Sequence, residues 1–254
     1  MHFFVFTGSI HSTPIVGYQQ NTANATRNTM MAPTFLSVTS TTGCKLSDLT
    51  VTGYDPYDPE EGEGGCSGVD FVLQFLNANG SVAARYYWLD EEVGPGWFAD
   101  MNGTEISGGA SSVSIPAGVA AWVIGSGKTL VSAGAVGTDD IAFVMNPARN
   151  TAIGNCTPVN LNLSQLTVSG YEPYDPEEGE GGCSGVDFVL QFLNANGSVA
   201  AKYYWLDEEV GPGWFADMNG TEIAGGASTV AIPAGKGAWV IGSGKTLNIP
   251  APEL

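Results

Sequence analysis

The sequence predicts an all-β protein made of two tandem, near-identical domains, each a β-sandwich or a partly open β-barrel. Three observations carry that expectation. A long block of sequence occurs twice. Apolar residues alternate in short runs instead of recurring at helical spacing. Thirty-five glycines and 14 prolines punctuate the whole chain, as they do in folds of many short strands joined by turns.

The repeat comes first. Gly53 to Leu130 aligns without gaps on Gly170 to Leu247, an offset of 117, and only seven of these 78 positions differ, among them Asp55/Glu172, Arg85/Lys202 and Val119/Lys236. Self-similarity of this length marks two copies of one folding unit. Upstream the match weakens, and aligning Cys156 on Cys44 gives the second copy five extra residues after its cysteine. The expected division is a leading strand over residues 1–13, one β domain over 14–137 and a second over 138–254.

Within one unit the strands follow from local pattern. Val69 to Leu76 alternates around Phe71, Leu73 and Phe75, and Asn77-Ala78-Asn79-Gly80 supplies a hairpin turn. Ser81 to Leu89 returns as an aromatic-rich strand through Tyr86, Tyr87 and Trp88. Trp97 to Asp100 leads into the Asn102-Gly103 turn. Val113 to Ile115, Ala120 to Ile124 and Thr129 to Val131 complete a closely spaced series.

Composition bounds the function. Hydrophobic residues make up 43% of the 254, enough for a packed interior, and no stretch approaches the 18 apolar residues of a membrane span. Twenty-six acidic residues against eight basic ones give a net charge of −18. Such a surface repels phosphate backbones and anionic lipid, so nucleic acid is not an expected partner and no membrane span is expected. It suits solubility, basic partners or divalent cations.

Four cysteines occur, Cys44 and Cys66 in the first half and Cys156 and Cys183 in the second. They lack zinc-site spacing, so the expectation is one disulfide per half, closing loops of 22 and 27 residues and worth about 3 kcal/mol each in the chain-entropy model. Persistent disulfides imply export to an oxidising, extracellular location, secreted or on the cell surface. The N-terminus does not read as an intact signal peptide. Its apolar run extends only from Phe3 to Phe6, and the first lysine or arginine is Arg27.

The ends of the chain suggest an assembly. Val5 to Gln20 aligns without a gap on Val131 to Asn146, placing Gly8 on Gly134, Ile10 on Val136 and Ile15 on Ile141. The second copy has no such segment after it. If Val131 to Val136 closes the first domain, the second would lack its closing strand and expose an apolar groove. The leading segment Phe3, Phe4, Val5, Phe6 and Ile10 would fill such a groove beside Trp239, Val240, Ile241, Leu247 and Ile249 of the preceding molecule. Head-to-tail stacking of that kind does not close and grows a fibre whose partner is the chain itself. Three buried anchors, Phe4, Phe6 and Ile10, would contribute about 5 to 8 kcal/mol before ordering costs. The same segment equally suits a first strand of its own domain.

Three further motifs invite function. The acidic loop Asp55, Asp58, Glu60, Glu61 and Glu63 recurs as Glu172, Asp175, Glu177, Glu178 and Glu180. It offers oxygen ligands for calcium, to which Asp70 and Asp187 would add, and reads equally as a solvated turn. Trp97 and Trp214 adjoin Gly-Pro-Gly turns, where a ring is either displayed for stacking on a sugar or buried in the core; Tyr86, Tyr87 and Trp88 are candidates for lining a groove, and Trp122 reads as core. Asn24, Asn79, Asn102, Asn155, Asn162, Asn196 and Asn219 each begin a glycosylation triplet, which in turn-rich sequence also arises by chance.

Catalysis is not expected. Both histidines, His2 and His11, precede the repeats, so histidine-based nucleophile arrangements are missing from them. The cysteines read as structural, and the acidic residues fall in turns.

The short β repeats ending in IPAGxxAWVIGSGKTL resemble uncharacterised secreted or surface β proteins of bacteria. The architecture of the termini is similar to that of extracellular fibre subunits assembled by donor-strand complementation. That likeness implies a structural subunit of an extracellular, pilus-like filament. The alternative reading is a secreted two-domain adhesin or carbohydrate-binding protein, with a glycan or surface receptor as partner.

Overall fold

The computed structural model of the chain describes residues 15–26, 28–40, 42–77, 81–125, 127–147, 150–194, 198–242 and 244–253. The protein is all-β; among the described residues the only helical pieces are four 3₁₀ turns. The first unit contributes β1 (Val16–Thr22), β2 (Thr29–Met31), β3 (Gly43–Lys45), β4 (Leu49–Thr52), β5 (Phe71–Leu76), β6 (Val82–Leu89), β7 (Gly96–Phe98), β8 (Ser114–Pro116), β9 (Ala121–Gly125) and β10 (Thr129–Ala135). The second repeats them as β11 (Ile141–Val144), β12 (Thr151–Gly154), β13 (Leu161–Asn162), β14 (Thr167–Ser169), β15 (Phe188–Leu193), β16 (Val199–Leu206), β17 (Gly213–Phe215), β18 (Ala231–Ile232), β19 (Gly237–Gly242) and β20 (Thr246–Ile249).

Each unit has three antiparallel sheets. In the first they run β2-β9-β5-β6-β7, β1-β10-β4 and β3-β8; in the second, β12-β19-β15-β16-β17, β11-β20-β14 and β13-β18. The sheets stay separate and none closes into a barrel. One core joins Phe71, Leu73 and Val123 of the larger sheet with Leu49, Val51 and Leu130 of the smaller one, a sandwich-like packing repeated in the second unit. Phe71 and Phe188 are fully buried, which stabilises each unit by about 1.5–3 kcal/mol per ring. The Asn77 N–H donates to the Ser81 carbonyl at 2.8 Å, and residues 78–80 of the expected turn lie outside the described residues. Val69 is exposed, and the strand begins at Phe71.

Strand register corrects two alignments made from sequence. Thr22 faces Thr129, while Val144 faces Thr246. Met31 faces Ala121, while Ile153 faces Ala238. Positions before β3 are therefore related at an offset of 122, and those from β3 onward at 117. Gln19, not Ile15, is the counterpart of Ile141. Likewise Cys44 faces Ile115 and Leu161 faces Ile232, so Leu161 occupies the place of Cys44, and Cys156 takes that of Thr34. The five additional residues belong to the first unit, in the loop that buries Phe35 and Leu36 against the start of β1 and the end of β10.

The expected disulfides are not formed. All four cysteines are free and buried. Cys44 sits in the small β3-β8 sheet, whereas Cys66 bridges Asp90 at the end of β6. In the second unit Cys183 is the counterpart of Cys66, and leucine stands where its expected partner would be. The inference of export therefore loses its disulfide premise.

Among the described residues, β20 offers no open flank to a donor strand either. Strand β20 lies between β11 and β14, paired on both flanks, and β19 lies between β12 and β15. Val240, Leu247 and Ile249 are buried in the core of their own unit. The sheet is sealed because β11, from the segment joining the units, already fills the flank assigned to a donor. Phe3, Phe4, Val5, Phe6 and Ile10 lie outside the described residues.

Candidate functional site

The two units meet through equivalent surfaces. Met31 bridges Lys236, and Ile153 bridges Val119; the second pair is the first with the units exchanged. The Ala32 N–H donates to the Gly235 carbonyl at 3.0 Å, and the Gly154 N–H to the Gly118 carbonyl at 2.7 Å, again an exchanged pair. Trp122 and Trp239, which are counterparts, contact each other edge to face with centroids 6.4 Å apart. The joint therefore has pseudo-two-fold symmetry. An interface of that kind uses the same patch on both partners and closes on itself.

Two grooves flank the tryptophan pair, and each draws residues from both units. One, of about 330 Å³, places Asn24, Asn28, Thr29 and Trp122 of the first unit against Phe192 and Asn194 of the second. The other, of about 310 Å³, places Asn146, Asn150, Thr151 and Trp239 of the second unit against Phe75 and Asn77 of the first. These lining residues match one for one around the pseudo-axis. Local structure holds several of the side-chain amides: Asn24 Oδ1 accepts the Thr26 N–H at 3.0 Å, and the Asn77 and Asn194 amides donate to the Ser81 and Ser198 hydroxyls at 3.0 and 3.1 Å. Among the described residues, no aspartate or glutamate lines either groove, in a chain that carries 26 of them.

The grooves differ at one charge. Lys236 lines the first, and Val119 stands in its place in the second. Lys236 is half-buried, its Nζ donates to the Thr22 carbonyl at 3.5 Å, and burial pushes its amine below the usual lysine range. A neighbouring difference, Ala120/Gly237, has a steric cause. A Cβ on Gly237 would lie 2.7 Å from the Ile153 carbonyl oxygen and 2.8 Å from the Ala120 Cβ.

A third cavity, of about 270 Å³, lies where the connecting segment crosses the joint, between Leu36, Thr42 and Ala117 on one side and Ile141, Cys156 and Pro250 on the other. The carboxylate of Asp140 at its edge accepts the Ala251 N–H at 2.8 Å. Burial pushes the Cys156 thiol up, and pushes Cys44, Cys66 and Cys183 up to about 12. All four are protonated thiols at neutral pH, unsuited to nucleophilic chemistry.

Several residues singled out from sequence have structural places instead. Trp97 is buried, donates Nε1–H to the Leu49 carbonyl at 2.7 Å and packs edge to face on Trp88 and Phe71. Trp214 repeats this with Leu166, Trp205 and Phe188. Neither ring is displayed for a sugar. Trp88 is buried with its Nε1–H on the Tyr54 hydroxyl, and Tyr86 packs on Phe75. Trp122, read as core, lies half-buried at the joint. The signal that could have found it is the clustering of two of the seven repeat differences, Val119/Lys236 and Ala120/Gly237, within three residues of it.

The acidic loops are exposed hairpins. Asp58 and Glu63 form a main-chain bridge, as do Asp175 and Glu180, and the Asp58 carboxylate accepts the Glu60 N–H at 2.9 Å. Among the described residues no group of three or more histidine, cysteine, aspartate or glutamate side chains is placed to hold a metal ion, so the calcium ligand set is not assembled. Of the glycosylation triplets, Asn24, Asn102 and Asn219 are exposed, whereas Asn155 is fully buried and donates its amide to the Val159 and Ile232 carbonyls. Asn79 and Asn196 lie outside the described residues. No described helix is long and apolar enough to cross a membrane.

Comparison with family models, with curated proteins and with solved structures finds no match. The functional reading therefore rests on the grooves.

Proposed function

We propose that the chain is a non-catalytic carbohydrate-binding protein of the cell exterior, holding saccharide in the two equivalent grooves beside the joint. The observation that carries this is the recurrence, around one pseudo-axis, of an aromatic pair with amide and hydroxyl side chains. A sugar ring offers C–H faces that pack on aromatic side chains and hydroxyls that both donate and accept, which matches asparagine and threonine. Two such sites on one chain raise avidity for a repeating polymer. The absence of carboxylates from both linings favours binding over glycoside hydrolysis, which needs a pair of them across the scissile bond. Export is consistent with the acidic surface and the resemblance to secreted bacterial β proteins.

The fibre-subunit reading has less support. It requires an acceptor groove at β20, a strand flanked on both sides, and the joint's pseudo-two-fold surface does not propagate.

The test is titration of the purified chain with neutral oligosaccharides of cellulose, xylan and chitin, with mass by light scattering in parallel. The expected result is saturable binding at two sites on a single-chain particle, lost in Asn28→Ala plus Asn150→Ala. Absence of binding, or binding indifferent to that pair, rejects the proposal; filaments in the same sample would favour the fibre reading.

A further inference from the structure

Among the described residues, Lys236 is the one charge that breaks the symmetry of the grooves. Of the seven differences between the repeated blocks, Val119/Lys236 alone alters charge, and it falls at the joint. The Lys236 side chain is half-buried, its ammonium meets a carbonyl at 3.5 Å, and among the described residues no carboxylate lines the groove to pair with it. Withdrawal of a cation from water costs free energy unless an anion or good acceptors compensate. One long carbonyl contact compensates poorly. The same groove is lined by Asn24, Asn28 and Asn194, which carry amides, and by Phe192.

Resting on the saccharide reading, we infer that the Lys236 groove takes a sugar bearing a carboxylate, while the Val119 groove takes a neutral one. The ligand's carboxylate meets the ammonium, and its ring and hydroxyls meet the phenyl ring and the amides. The net charge of −18 opposes an approaching anion at long range, but beyond about 8 Å that repulsion is largely screened at physiological salt. The contact with Lys236 is direct and decides recognition locally. The two grooves thus suit a polymer in which acidic and neutral residues alternate or adjoin.

The experiment uses the full chain and short oligosaccharides of glucuronic acid, galacturonic acid and N-acetylneuraminic acid, each beside its methyl ester, which removes the charge and keeps the sugar. Calorimetry should find one of the acids bound about tenfold or more tighter than its ester, as for a charge-assisted contact, at one site per chain. Lys236→Val, which installs the other groove's residue, should abolish the preference. Lys236→Met keeps the aliphatic stem and should do the same, which separates charge from packing. Val119→Lys should raise the number of acid sites from one to two, because Val144, the counterpart of Thr22, offers the same carbonyl. Equal binding of acid and ester, a preference that survives both Lys236 variants, or no binding by any of the three acids overturns the inference. Neutral esters bound at two sites without acid preference would leave the saccharide reading standing; failure of acids, esters and neutral oligosaccharides alike would remove both.

Discussion

Ala32 and Gly154 are counterparts in the two units, and they face each other across the joint so closely that a Cβ on Gly154 would overlap that of Ala32. The pseudo-axis passes between them. In a dimer of identical chains both positions would carry the same residue. Fusion of two copies in one chain permits alanine on one side and glycine on the other, and Ala120 opposite Gly237 repeats the solution. Gly154→Ala should destabilise the protein by about 1–3 kcal/mol through overpacking. The exchange Ala32→Gly with Gly154→Ala should restore most of that loss, measured by urea unfolding. A double variant no more stable than Gly154→Ala alone would mean that the clash lies elsewhere.

Trp97 and Trp214 serve the core. Trp97→Ala removes a buried indole and its bond to the Leu49 carbonyl, for an expected cost of about 3–5 kcal/mol. Thermal denaturation reports it, and saccharide affinity of the surviving folded protein should be unchanged.

Free, buried cysteines predict silence toward thiol reagents. The native protein should react slowly with Ellman's reagent, and four thiols should appear on unfolding without reductant. A reductant should leave the melting temperature where it was. Two or fewer thiols under denaturing conditions would restore a disulfide.

The same thiols set an alkaline limit. Burial holds Cys44, Cys66 and Cys183 at about 12 in the folded chain, above the ordinary 9.0. Between those values the unfolded chain releases protons that the folded chain keeps. The stability these groups contribute is complete below pH 9 and falls as pH rises toward 12. Lys236, depressed by burial from 10.5, has the opposite sign, but it is one group against four thiols, Cys156 being raised as well. Urea unfolding at pH 8, 9.5 and 10.5 should show the decline, and Cys66→Ala with Cys183→Ala should flatten it.

The acidic loops should be indifferent to metal. Their acidic residues are exposed, and among the described residues no three of them are placed to hold a metal ion. Adding calcium or a chelator should leave the melting temperature unchanged; a rise of several degrees with calcium would show a ligand set formed on binding.

Sequence alone determined what is encoded within about ten residues. Alternation around Phe71, Leu73 and Phe75, the turns at Asn77 and at Asn102-Gly103, and the repetition of Gly53 to Leu130 suffice for two all-β copies. Tertiary structure alone decided which surfaces meet. Cys44 and Cys66 belong to one core cluster but to different strand pairings, and both are free; a disulfide depends on the separation and direction of two Cα–Cβ bonds, which spacing along the chain does not fix. Trp122 lies in the more apolar stretch and Trp97 beside a Gly-Pro-Gly turn, yet Trp97 is core and Trp122 faces its own counterpart across the joint. Residues 141–144 align in sequence on a segment starting at Ile15, yet their place is the flank of β20. Each of these outcomes depends on contacts between residues far apart in sequence, whose free energy no local pattern records.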